Sequence, residues 1–167
     1  MFPIDQIKYD EILFCEGELD ALAAISAGLH AITLTAGAGS VMTKADARKF
    51  DGKNVVILMD HDDGGRRGAE KRARALAPHA RMVKVAEWPK GRVAKWDVTD
   101  ELLKHGKESL KSIIAASVPF VDKAPQLPAP YEIRDGRLGY LKPQRRGKDE
   151  VDHVFIPLSN FTARIIE

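Results

Sequence analysis

The stretch Val55-Val56-Ile57-Leu58-Met59-Asp60-His61-Asp62-Asp63-Gly64-Gly65 decides how this chain folds. A continuous apolar run, rich in β-branched residues, ends abruptly in acids and glycines. Such a run suits a strand buried on both faces, as in a parallel sheet. Open α/β sheets place their ligand-binding groups at the carboxyl ends of strands. Asp60 and Asp62 fall at that end. Their i, i+2 spacing sends both side chains the same way while the chain stays extended, and turns His61 away from them. Two carboxylates held close repel, so a bound proton or cation stabilises them. Hard oxygen donors suit Mg²⁺ or Mn²⁺.

The sequence on either side repeats the same alternation. Strands are predicted at residues 11–15, 31–35, 54–59 and 81–87. Helices are predicted at residues 18–27, with Leu19, Leu22 and Ala23 on one face and Gly28 as the stop, then near 43–50 and at about 65–77. A glycine-rich loop, Ala36-Gly37-Ala38-Gly39-Ser40, follows the second strand. Thr99 is a cap candidate for a short helix at 100–105, and another is expected at 107–116. Strands alternating with helices indicate βαβ units and a mostly parallel sheet flanked by helices. Composition shifts after this point. Pro119, Pro125, Pro128 and Pro130 mark residues 118–130 as a stiff linker. Beyond it, Asp135-Gly136 sits between alternating runs and signals a hairpin. The expected organisation is an α/β domain at 1–117, the linker at 118–130, and a small β appendage at 131–167 that begins a further domain.

The chain has 167 residues, 44% hydrophobic and 30% charged, which is ordinary for a globular protein. A net charge of +2 gives no global basic field, so contact with nucleic acid must rest on local patches. The lone cysteine, Cys15, excludes an internal disulfide or a cysteine zinc site and is expected in the core. No signal peptide and no apolar run near ~20 residues is present, so a cytoplasmic location is the default, with no membrane span.

The acids fall in matching places. Glu16 ends the first strand, Asp60 and Asp62 end the third, and Asp97 lies just beyond the fourth. In a parallel sheet these ends gather on one edge. On the helix after Asp62, Arg67, Lys71 and Arg74 share a face, while Ala69, Ala73 and Leu76 lie on another suited to the sheet. A basic stripe beside an acidic edge can contact phosphates, and Arg66 and Arg67 sit at the helix start, where the helix dipole disfavours them. Lys90, Arg92 and Lys95 form a second basic loop, between Trp88 and Trp96, whose rings are candidates for packing or for stacking on bases. Lys44, after the glycine loop, is placed to reach a nucleotide phosphate. The loop itself lacks the full phosphate-loop pattern.

Three motifs carry a family resemblance. Glu16-Gly17-Glu18-Leu19-Asp20-Ala21-Leu22, then Gly37-Ala38-Gly39-Ser40, then Asp60-His61-Asp62-Asp63-Gly64-Gly65-Arg66 resemble a Toprim domain. Primases, topoisomerases, some nucleases and recombination mediators share that fold. With Lys95-Trp96-Asp97-Val98-Thr99-Asp100 downstream, the pattern looks most like primases and primase-helicases of phages and mobile elements, and covers roughly residues 10–117. The resemblance implies metal-dependent nucleotidyl transfer in DNA replication, with DNA template and nucleoside triphosphates as partners and further domains, such as a helicase, in a larger protein. It implies Glu16 as general acid/base or metal-associated carboxylate and Asp60 and Asp62 as ligands of Mg²⁺ or Mn²⁺. Asp97 would support a second metal, and Asp20 would stand behind these ligands. Lys44, Arg66, Arg67, Lys71, Arg74 and Lys95 would contact nucleotide or nucleic acid.

The position two after Asp97, acidic in many primases, is Thr99 here. Primases also carry a basic subdomain, and usually a zinc module, ahead of this fold. Neither is among these residues, so the isolated chain is expected to bind metal but to prime weakly or not at all. A Toprim nuclease cleaving DNA by metal-assisted hydrolysis is the first alternative, and a non-catalytic binding module in a replication or recombination complex is the second. An aspartate-nucleophile phosphatase ranks last, because Asp-Gly-Gly follows the Asp-x-Asp pair.

Overall fold

The computed structural model describes residues 1–35, 39–122, 131–134, 137–145 and 151–158. It divides into two compact units, Met1–Val121 and Asp122–Glu167.

The first unit is built on the expected strands: β1 (Glu11–Phe14), β2 (Ala31–Ile32), β3 (Asn54–Ile57) and β4 (Met82–Val85). They are parallel in the order β2-β1-β3-β4. A fifth strand, β5 (Val118–Pro119), pairs antiparallel with β4 at the edge. These two residues were expected at the head of the linker, but the sheet takes them up first, and proline is tolerated there because an edge strand leaves its missing N–H unneeded.

Helices cover both faces. α1 (Glu18–Ser26) follows β1, α2 (Lys44–Arg48) precedes β3, α3 (Asp63–Leu76) follows it, and α4 (Val98–Ala115) leads into β5. One core cluster joins Ile12, Phe14, Val55, Ile57 and Val83 of the sheet to Ala69, Ala73 and Leu76 of α3, the face predicted to pack. The other joins Leu13, Cys15, Leu58 and Ala86 to Ala21 and Ala24 of α1 and Leu110 and Ile113 of α4. Cys15 is a buried free thiol, as expected. Alternate strand residues enter opposite clusters, as a doubly covered sheet requires.

Two local expectations need correction. Leu19 and Leu22 do not face the core: they are 78% and 45% exposed. α1 packs instead through Asp20, Ala21 and Ala24, small or hydrogen-bonded groups that allow a close approach. The cap of α4 is Asp97 rather than Thr99. The two short helices expected at 100–105 and 107–116 are both present: α4 is two helical segments separated at Gly106, whose φ of 78° only glycine adopts freely. α1 ends as predicted, with Gly28 at φ 81° just past its cap.

The second unit is a three-stranded antiparallel sheet, β6-β7-β8 (Tyr131–Arg134, Arg137–Arg145, Val151–Pro157). Arg134 lies opposite Arg137, the register of a two-residue hairpin connection. Asp135-Gly136 itself, most of the expected linker and the chain after Leu158 lie outside the described residues, as do Ala36 to Ala38 of the glycine loop. Among the described residues, no helix is long and apolar enough to cross a membrane.

Candidate metal and nucleotide site

The chain reverses its direction of travel across the sheet between β1 and β3, because β2 lies on one side of β1 and β3 on the other. The crevice outside the carboxyl ends of two such strands is the favoured ligand site of an open α/β sheet. Ladder bonds run past the strand ends there: Cys15 N–H donates to Ile32 O (2.9 Å), Leu58 N–H to Phe14 O (3.0 Å) and Ala86 N–H to Ile57 O (2.9 Å). The fully buried Thr33 adds its hydroxyl to the Glu16 carbonyl (2.7 Å), fixing the backbone that presents Glu16.

Glu16 and Asp60 meet across the crevice. The Asp60 N–H donates to Glu16 Oε2 (3.2 Å). Beyond Asp60 the chain turns: Asp62 N–H donates to Asp60 O (2.8 Å), so Asp60 and Asp62 do not continue as one straight strand. Asp62 becomes the cap of α3, accepting from the Gly65 N–H (2.7 Å). The turn is possible only with glycine at 65, where a Cβ would collide with the Asp60 carbonyl oxygen. Asp97 caps α4 in the same way, accepting from the Asp100 N–H (2.7 Å). Asp20, 7% exposed, accepts both the N–H (3.1 Å) and the hydroxyl (2.9 Å) of Thr99, tying α1 to α4.

These acids act on one another. Burial, with Glu16, Asp20, Asp97 and Asp62 adding their charge, pushes the Asp60 carboxyl up to about 7. Burial also raises Asp20, with Asp97 and Glu16 adding and the Thr99 bonds opposing. The Cys15 thiol is raised by burial first, then by Asp20 and Asp60. Among the described residues, none of Glu16, Asp20, Asp60, Asp62 and Asp97 makes an ion pair. The donor chemistry therefore fits a hard divalent cation, although among the described residues no three carboxylate, imidazole or thiol groups converge as a closed ligand set.

The expected cations divide. On α3, Arg67 and Lys71 are exposed on the outer face, whereas Arg66 pairs with Asp63 and Arg74 with Glu70 (2.9 Å). Lys44 is exposed in the first turn of α2. Lys95 is exposed beside the acidic edge with φ 64°, unusual for a residue bearing a side chain; its N–H donates to His61 O (3.0 Å), and His61 N–H donates to Trp96 O (2.8 Å). Both tryptophans pack: Trp96 is buried, and the Trp88 indole N–H donates to Met59 O (2.7 Å).

Two residues escaped the sequence reading. Arg72 is 2% exposed on the sheet face of α3 and donates to Ser40 O and Oγ (both 2.7 Å); burial lowers its pKa from the usual guanidinium value, and the Glu16 charge opposes that shift. Its signal was an arginine in register with Ala69, Ala73 and Leu76. Glu101 is fully buried and accepts from Arg92 Nε (2.7 Å) and Nη2 (2.8 Å), Trp96 Nε1 (2.9 Å) and Ser109 Oγ (2.6 Å). This knot fixes the loop that carries Lys95 and Asp97.

A family described as Toprim-like matches residues 13–102. Among solved structures, the chain is similar to the zinc-binding and RNA polymerase domains of the Aquifex aeolicus primase: 27% identity, 66% of this chain and 27% of that one, TM-score 0.56. It shares its fold with the RNA polymerase domain of the Mycobacterium tuberculosis primase (24% identity, 69% and 38% covered, TM-score 0.52). A DNA primase domain from Pseudomonas aeruginosa has the same fold (19% identity, 66% and 35% covered, TM-score 0.54). The chain thus spans between 27% and 38% of the length of these structures. No curated protein matches it.

Proposed function

Because this chain belongs to the Toprim-like family, we propose that it is the metal-binding part of a primase or primase-helicase and takes part in metal-dependent nucleotidyl transfer during DNA replication. The observation that carries this reading is the gathering of Glu16, Asp60, Asp62 and Asp97 at one sheet edge, with Asp60 raised to about 7 by burial and by its acidic neighbours. An edge so charged repels phosphate unless a cation is bound.

Glu16 and Asp60 would hold Mg²⁺ or Mn²⁺, and Asp62 and Asp97 would contribute the oxygens that their caps leave free. A divalent cation there would lower the pKa of an attacking hydroxyl and neutralise phosphate charge. The chain's own groups do the rest. Asp20, held by Thr99, supports the edge from behind. Arg67 and Lys71, which pair with no acid among the described residues, present charge to a nucleic-acid backbone, and Lys95 and Lys44 are candidates for the triphosphate. Template, nucleoside triphosphates and additional domains, a helicase among them, are the partners this reading supplies.

Calorimetric titration of Mn²⁺ into the wild-type chain and into Asp60→Asn/Asp62→Asn tests the site. Binding that disappears in the double variant, with the far-UV circular dichroism unchanged, is the expected result. Absence of binding in both would favour a non-catalytic binding module. Dependence on nucleoside triphosphates, against DNA cleavage without them, separates nucleotidyl transfer from nuclease activity.

A further inference from the structure

A groove of about 400 Å³ opens between the carboxyl ends of β3 and β4, on the side of β3 opposite β1. Its walls are apolar, formed by Met59, Ala69, Val85, Ala86, Trp88 and Phe120. Trp88 is anchored by its indole N–H on the Met59 carbonyl, so the wall is fixed rather than adaptable. The rim is polar: Asp60, Arg66, Glu70 and Glu87. Arg66 is drawn to Asp63 and Glu70 to Arg74; of the rim acids this leaves Asp60, which faces Glu16 in the acidic edge, and the exposed Glu87, both without an ion pair among the described residues. His61 also lines the groove.

We infer that this groove is a nucleobase subsite that favours bases bearing amino groups, with Glu87 as the acceptor that reads them. The inference rests on the reading of the acidic edge as a nucleotide site. Asp60 belongs to both places, so a nucleotide whose phosphates lie over the acidic edge has the groove within reach of its base. A fixed, partly aromatic, apolar slot suits a flat ring. The ionised Glu87 carboxylate disfavours phosphate and accepts hydrogen bonds only. Guanine offers an adjacent ring N–H and amino group, a two-point match to a carboxylate, and adenine and cytosine offer an amino group. Uracil turns two carbonyl oxygens towards the same rim and is disfavoured.

The test is heteronuclear NMR titration of the isotopically labelled full chain with guanosine, adenosine, cytidine and uridine, without metal, since nucleosides carry no phosphate for the acidic edge to repel. Guanosine should shift the Trp88 indole and the Val85 and Ala86 amides and bind at least about threefold more tightly than uridine. Glu87→Ala, an exposed substitution, should abolish that preference while Mn²⁺ binding stays unchanged. Nucleosides that leave these three signals in place, or a preference that survives Glu87→Ala, would overturn the inference. The Mn²⁺ titration is scored separately. Its failure with the groove shifts intact would remove the metal-dependent function and leave the base subsite standing. Mn²⁺ binding without groove shifts would do the reverse.

Discussion

Glu101→Gln removes one negative charge from a site where no water reaches it, and its consequence can be worked out. The carboxylate accepts four hydrogen bonds, two from Arg92 and one each from Trp96 and Ser109, and has no exposed side-chain surface. A glutamine of nearly the same shape turns one acceptor into a donor that faces other donors and leaves the guanidinium without its anion. Breaking a buried pair in this way costs roughly 3–5 kcal/mol. The Arg92 side chain is 17% exposed, so water restores part of its solvation and the lower end, about 3 kcal/mol, applies.

The pH dependence gives a second handle. Arg92 foremost, with Ser109 and Trp96, lowers Glu101 from 4.5 to about 2 against the opposing effect of burial. A depressed carboxyl contributes stability that is complete above its unfolded value and lost as pH falls through the folded one. The wild-type advantage should therefore be full at neutral pH and shrink as pH falls from 4.5 towards 2. Urea unfolding followed by circular dichroism, at constant ionic strength from neutral pH down to about pH 3, measures it. A difference below about 1 kcal/mol at neutral pH, or one that does not narrow in acid, would refute the reasoning.

Gly65→Ala should destabilise the chain by about 1–3 kcal/mol in urea unfolding, because the added methyl meets the Asp60 backbone, which cannot yield as a side chain would. Mn²⁺ affinity should fall in the same variant, measured by calorimetry. Arg67→Ala/Lys71→Ala should lower single-stranded DNA binding and reduce the slope of log K against log salt by about 0.7 for each phosphate no longer neutralised, read from fluorescence anisotropy at several salt concentrations. Asp60→Asn should remove a charge that the metal-free fold opposes. Since a raised carboxyl makes the native state bind its proton more tightly, the wild type loses stability as pH rises from 3.8 through about 7, and the variant should not. Thermal melts of both proteins across that range, without metal, show whether the curves diverge.

The sheet and the location of its acids were legible because both depend on local pattern. β-branched runs ending in acids mark a strand and its carboxyl end without knowledge of any partner. The helices were less legible at their ends. Asp97, Thr99 and Asp100 all have the chemistry of a cap, and only the extended backbone at Asp97 (φ −127°, ψ −178°) decides among them. Thr99 is thereby released to hold Asp20, a pairing across 79 positions that no local pattern encodes. α1 misled for a different reason. Hydrophobicity usually tracks burial, but here the packed face needs small groups, and Leu19 and Leu22 are left outside. Arg72 and Glu101 were missed because a buried charge is defined by its partners, and Ser40 lies 32 positions from Arg72.

Two carboxylates in the first unit meet opposite treatment, and the contrast bears on function. Glu101 is surrounded by donors and a cation, so its charge is matched and its acidity increased. Asp60 is surrounded by like charges and half buried, so its charge is opposed and its proton retained to about 7. A fold that can supply an arginine, an indole and a hydroxyl to one carboxylate does not lack the means to neutralise another. Local rules fail most often where a site must stay ready for something outside the chain. The stability cost at Asp60 is the reverse of its use: a cation that binds the ionised acid is favoured by the repulsion that binding relieves. Substitution of Asp60 by asparagine should therefore move two quantities in opposite directions, raising metal-free stability at neutral pH and abolishing Mn²⁺ binding. A purely structural carboxylate would lower stability on substitution and leave metal affinity alone.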